Sequence, residues 1–114
     1  MALLAGAPGS RQIVLSTMGG GVWQRSSDGH WRDISGTLPY HHAMPLARGA
    51  NGTLYAGTMG YGVYMQQSTG SWIRLGHELS GGEYTSLSLA VAGGAHPALL
   101  TGTLPGVFRI PLNR

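Results

Sequence analysis

The chain has 114 residues with 7 basic and 4 acidic side chains, which leave a net charge of +3. All 7 basic residues are arginines scattered singly, whereas nucleic-acid binding usually needs a clustered basic surface. No stretch approaches the roughly 20 apolar residues of a membrane helix, and no cysteine is present to form a disulfide or a thiolate metal site. Composition therefore predicts a single soluble domain over residues 1–114, without a nucleic-acid or membrane partner.

The first predicted unit spans about residues 1–42. Its opening segment lacks the basic region and the long apolar run of a signal peptide, so we interpret it as a strand and leave the compartment open. Short apolar runs separated by glycine predict four strands joined by tight turns. They are expected at about residues 2–6, 12–17, 21–26 and 30–34.

The second predicted unit, about residues 43–83, repeats the first. Asn51-Gly52 is the strongest hairpin signal in the chain and is expected to join its first two strands. Val63 follows Val22 by 41 residues, and an aromatic residue comes directly after each valine. The four strands are expected at about residues 44–48, 53–58, 62–67 and 71–75.

The third predicted unit, about residues 84–114, has only three strands. They are expected at about residues 85–92, 98–103 and 106–112, and Val107 follows Val63 by 44 residues. A period near 40 in an all-strand pattern is typical of propeller blades. The sequence thus predicts an all-β fold of four-stranded antiparallel blades, about 2.75 blades for the chain, ending on an exposed third strand.

The second unit also resembles a known repeat family. Residues Tyr55-Ala56-Gly57-Thr58 and Gly62-Val63-Tyr64 match the strand pair of the BNR or Asp-box repeat, found in sialidases, sortilin-type receptors and photosystem II assembly-factor-like proteins. Residues 26–31 keep the serine, aspartate, glycine and tryptophan of its turn in shortened form, residues 68–72 have lost the aspartate, and the third unit has no such box. The resemblance implies a propeller blade whose aspartate accepts backbone hydrogen bonds and whose tryptophan packs between blades, and it implies no catalytic site.

Three tryptophans fit this pattern. Trp31 and Trp72 lie 41 residues apart at the start of the fourth strand of their units, so both are expected to pack between blades. Trp23 occupies the position of Tyr64 and Phe108 and is also expected in the core.

An incomplete set of blades needs a partner. A blade exposes both faces unless neighbours cover them, and fewer than four blades do not usually close a ring. We expect a homo-oligomer that completes the ring, a dimer by preference or a trimer, in which the first blade of one copy packs on the third blade of the next. A fragment of a longer gene is the remaining alternative.

Ligands of propellers usually bind on the face that carries the loops between the second and third strands and between successive blades, as the resemblance implies. Aromatic and hydrogen-bonding side chains in these loops form the candidate ligand site, which would suit a sugar. Its residues are Tyr40, His41, His42, Tyr61, His77, Glu78, Glu83 and Tyr84.

Metal binding and catalysis are less well supported. His41 and His42 are adjacent, and neighbouring residues of a strand point to opposite faces. The four acids are Asp28 in the turn box, Asp33 in an outer strand, and Glu78 and Glu83 in one loop, which does not predict a carboxylate pair. We therefore predict no metal, no cofactor and no catalytic residue.

The sequence favours a non-catalytic binding or scaffold module that presents a propeller loop face to a protein or glycan. A lectin-like multivalent carbohydrate binder is the first alternative. A glycoside-hydrolase-like enzyme assembled in an oligomer is the second.

Overall fold

The computed structural model describes the backbone of residues 2–5 and all atoms of residues 13–17, 20–38, 45–49, 52–58, 62–75, 88–103 and 105–112. Within these residues every regular element is a β-strand, and the eleven strands form three antiparallel sheets. The fold is therefore all-β, as predicted. No helix in the described part of the chain is long and apolar enough to cross a bilayer.

The first sheet has four strands in chain order. They are β1 (Ala2–Ala5), β2 (Ile13–Ser16), β3 (Val22–Arg25) and β4 (Trp31–Asp33). Leu15 pairs with Trp23, which in turn pairs with Asp33, so these side chains share one face of the sheet.

The second sheet repeats this arrangement. Its strands are β5 (Leu46–Arg48), β6 (Leu54–Gly57), β7 (Val63–Gln66) and β8 (Trp72–Leu75). Gly52, with a φ of 89°, donates its N–H to the carbonyl of Gly49 and closes the predicted turn between β5 and β6.

The third sheet has three strands in the described residues. They are β9 (Ser88–Ala92), β10 (Ala98–Gly102) and β11 (Val107–Pro111), with β10 in the middle. β11 corresponds to β3 and β7, and no described strand pairs with its outer edge. Within the described residues β11 is therefore an outer strand of its sheet.

Two apolar cores separate the three sheets. The first lies between the first and second sheets and includes Val14, Val22, Leu54 and Trp72. The second lies between the second and third sheets and includes residues such as Tyr55 and, on the third sheet, Leu99 and Ile110. The second sheet is therefore covered on both faces, because alternate residues of a strand point to opposite sides.

The three sheets have the same orientation in the stack. β5 lies beside both β1 and β9, so the first strands adjoin. Val22 points from the first sheet into the first core, and its equivalent Val63 points from the second sheet into the second core. Because the three sheets face the same way and place their first strands side by side, equivalent strands of the three sheets also run in the same direction.

Candidate functional site

The eight predicted ligand-site residues lie outside the described residues. What the structure describes is the strands that flank them. In the first and second sheets the turn from second to third strand and the connection to the next sheet leave at the same ends of the strands, because antiparallel strands alternate in direction. The described strands of the third sheet provide the turn alone. Since the sheets share one orientation, these strand ends lie on one side of the stack. We name this side, which is formed by strand ends and not by an edge strand, the connection edge.

The turns between second and third strands are built alike in all three sheets. In each, a threonine at the end of the second strand donates its backbone N–H and its hydroxyl to one glycine carbonyl, at 2.6–3.2 Å. These glycines have φ angles of 88°, 101° and 148°, in the left-handed region that favours glycine. The pairs are Thr17 with Gly21, Thr58 with Gly62, and Thr103 with Gly106.

The turns between third and fourth strands of the first and second sheets lie at the opposite ends of the strands. In the first sheet Asp28 accepts hydrogen bonds from the Ser26 hydroxyl and from the backbone N–H of His30. The Ser26 hydroxyl is the main reason that the pKa of Asp28 lies below its ordinary value of 3.8, with smaller contributions from the His30 N–H and from Arg25. The Asp28 carboxylate therefore stabilises the turn between β3 and β4.

The second sheet builds the same turn without a carboxylate. The backbone N–H of Gln67 donates to the carbonyl of Ser71 at 2.7 Å, as Ser26 does to His30 at 2.9 Å. Thr69 occupies the place of Asp28, and its hydroxyl lies 3.0 Å from that of Ser71. Hydroxyl groups thus replace the missing aspartate and preserve the hairpin.

A cleft of about 700 Å³ opens between the second and third sheets. Arg48, on the first strand of the second sheet, lines it and donates from Nη1 to the carbonyl of Gly52 at 3.1 Å. Within the described residues Nε and Nη2 of Arg48 have no hydrogen-bond partner, but both atoms are covered by protein. The cleft is also lined by apolar residues such as Met65 and Val91.

The described residues offer little for acid-base or metal chemistry. Asp33, the second described carboxylate, accepts the backbone N–H of Ser35 at 2.8 Å. The Ser35 hydroxyl in turn accepts the buried N–H of Val22 at 2.9 Å. No group of three metal-ligating side chains occurs in the described part of the chain.

The outward faces of the first and third sheets combine apolar residues with a few charged ones. On the third sheet Val107 is 74% exposed, although its equivalents Val22 and Val63 are 0% and 2% exposed between sheets. We name the outer surface of this sheet the Val107 face. It includes the apolar residues Ala90, Leu100, Gly102 and Val107, together with the polar residues Ser88 and Arg109.

The outer surface of the first sheet is the tryptophan face, which includes Ile13, Leu15, Trp23 and Trp31 together with the charged residues Arg25 and Asp33. Trp72 is 5% exposed and donates its indole N–H to the carbonyl of Ile34 at 2.9 Å, so its predicted packing between sheets is confirmed. Trp31 is 47% exposed, and the same prediction for it is wrong within this chain. Trp23 is half-buried rather than part of the core. No described sheet covers the side of the first sheet on which both tryptophans lie.

The sequence pattern placed Trp23 and Trp31 in packed positions because it gave equivalent residues of every repeat the same surroundings. The order of the repeats could have predicted the exposure of these tryptophans. Among the described sheets the first has no sheet before it, and the third has no sheet after it. Comparison of the chain with protein-family models, with curated proteins and with solved structures found no match.

Proposed function

We propose that this chain is a non-catalytic binding or scaffold module of the propeller type, which presents its connection edge to a protein or glycan partner. The observation that carries the proposal is the shared orientation of the three sheets. It brings the three turns and the flanks of both inter-sheet connections to one side of the stack. Loops held by a rigid sheet scaffold are the usual place of binding residues.

The proposal takes the sheets as blades of the BNR or Asp-box kind. Support comes from the turn at residues 26–30, where Asp28 accepts a backbone N–H as the family pattern implies. Further support comes from Trp72, whose indole lies in the core between two sheets. The same reading makes the chain part of a ring that further blades complete.

The hydrogen bonds of the two described carboxylates favour binding over catalysis. Asp28 and Asp33 each accept a backbone N–H two residues further along the chain. Both are therefore committed to local turns, and they lie in different parts of the first sheet. A hydrolytic site would need a pair of carboxyl groups held across a substrate.

The test replaces part of the predicted site and compares it with the opposite edge. One variant carries Tyr40→Ala, His41→Ala and His42→Ala, and the control carries Ser68→Ala and Thr69→Ala. Glycan arrays and quantitative affinity capture find ligands of the wild-type chain, and titration with each purified ligand follows. We expect the first variant to bind at least about ten-fold more weakly and the control to bind as the wild type does.

Two results would contradict this function. A ligand that binds the first variant as tightly as the wild type would remove the connection edge from consideration. Turnover of chromogenic glycosides that is lost in Glu78→Gln or Glu83→Gln would establish an enzyme. A glycan ligand would identify the chain as a lectin, whose weak single sites gain from multivalency.

A further inference from the structure

The chain contains two examples of the same interface between sheets. In each, a face that includes the valine of the third strand packs against a face that includes the second-strand residues of the next sheet. Val22 and Leu54 belong to the first core, and Val63 and Leu99 belong to the second. The interface is therefore a repeated unit with two different sides.

At each end of the stack, the outer face has the position of one side of this interface, and no described sheet covers it. Val107 stands at the position of Val22 and Val63, and Leu100 stands at the position of Val14 and Tyr55. At the other end, Ile13 stands at the position of Leu54, and Trp31 stands at the position of Trp72. The two end faces are thus the two halves of one interface.

We propose that the Val107 face of one copy of this chain binds the tryptophan face of a second copy, so that copies associate head to tail. The partner is a second copy because the contact continues the interface that the chain already makes twice within itself. A contact between two different faces forms a ring when the rotation closes.

The two faces also differ in shape in the way that packing requires. Among its apolar residues the tryptophan face carries two indoles and two aliphatic side chains, whereas the Val107 face carries small residues around Val107 and Leu100. The charged residues are Arg25 and Asp33 on the tryptophan face and Arg109 on the Val107 face. Large side chains on one sheet and small ones on the other allow interdigitation at the usual spacing of about 10 Å between stacked sheets.

The free edge of β11 is a poorer surface for association than its face. Pro111 has no N–H to donate to an added strand. Proline is one of the residues that keep edge strands from pairing. The face therefore carries the proposal.

The test uses two variants that each destroy one half of the interface. Trp31→Glu removes the tryptophan face, and Val107→Glu removes the Val107 face. Light scattering and sedimentation velocity follow each purified chain over a dilution series. We expect the wild type to show at least twice the chain mass of 11.9 kDa, and each variant to weaken association at least about thirty-fold, as an interface hot spot does.

Mixing the two variants distinguishes a head-to-tail contact from a contact between like faces. Trp31→Glu keeps an intact Val107 face, and Val107→Glu keeps an intact tryptophan face. We expect the mixture to form a one-to-one dimer that neither variant forms alone. This recovery would also demonstrate that both variants are folded.

Ile73→Glu is the matched control. Ile73 is an exposed apolar residue of β8 that lies on neither end face, and the variant should associate as the wild type does. A monomeric wild type, undiminished association of either end-face variant, or failure of two variants with native circular dichroism to recover on mixing would overturn the proposal. These measurements use the purified chain alone, so they stand or fall separately from the ligand of the connection edge.

Discussion

The indole N–H of Trp72 donates a hydrogen bond of 2.9 Å to the backbone carbonyl of Ile34, and it joins the outer strand of one sheet to the chain that leaves the previous sheet. Thr37 strengthens the same junction, because its hydroxyl accepts the N–H of Trp72 at 2.8 Å and donates to the Trp72 carbonyl at 3.2 Å. Trp72 therefore links the two sheets both through its buried side chain and through its backbone hydrogen bonds.

Trp72→Ala should destabilise the chain by about 3–5 kcal/mol, because it removes a buried aromatic ring and leaves a cavity. Trp31→Ala, at the equivalent position of the first sheet, should cost less than about 1 kcal/mol in the monomer, because half of that ring is in solvent. Urea denaturation at protein concentrations low enough to keep the chain monomeric compares the two. Equal losses would contradict the difference in burial.

Ser35→Ala should cost about 1–3 kcal/mol, since the buried N–H of Val22 would lose its acceptor. Ser27→Ala, in an exposed turn, is the matched control and should change the free energy of unfolding by less than about 0.5 kcal/mol. Chemical denaturation measures both. A neutral Ser35→Ala would mean that Val22 finds another acceptor.

Gly21→Ala should be more damaging than Gly70→Ala, although both glycines have positive φ angles, of 88° and 94°. The left-handed backbone costs either alanine about 1–2 kcal/mol. At Gly21 the new Cβ would also overlap the Ser35 hydroxyl, whereas no atom lies within 4 Å of that position at Gly70.

A double-mutant cycle isolates the overlap at Gly21. Combining Gly21→Ala with Ser35→Ala removes the hydroxyl that the Cβ meets, so the two losses in unfolding free energy should sum to more than the loss in the double variant. Strict additivity would show that the backbone angle alone explains the cost at Gly21.

The first turn box should make stability depend on pH in acid. The pKa of Asp28 is lowered in the folded chain by the Ser26 hydroxyl, so its contribution is present above the unfolded value near 3.8 and disappears as the pH falls through the lower folded value. Asp28→Asn should therefore flatten the decline in stability below about pH 4. Denaturation curves between pH 2 and 6 measure this, and an unchanged slope would contradict it.

Local patterns were sufficient to predict the strands. The eleven predicted strands all occur, each within its expected span, because β-branched and aromatic residues between glycine turns leave few other ways to satisfy the backbone. The glycines of the three equivalent turns were predictable for the same reason. Their positive φ angles are a property of the turn itself.

The candidate site was less predictable than the fold. The eight loop residues were chosen for their chemistry, and they lie outside the described residues. The turn box shows a second limit: residues 68–72 lack the aspartate of the family pattern, and the sequence did not show that hydroxyl groups of Thr69 and Ser71 would lie in its place within the hairpin. Hydrogen bonds of one geometry can come from several residue types.

The sequence by itself determined that the chain is all-β, where its strands lie and that they occur in three similar units. Only the tertiary structure decided which repeated residues are buried, because burial depends on whether another sheet lies against a given face. Trp31 and Trp72, or Val22 and Val107, are equivalent in the sequence pattern, yet one of each pair is in a core and the other is in solvent. A repeat specifies how a side chain points, and its neighbours in space decide what it meets.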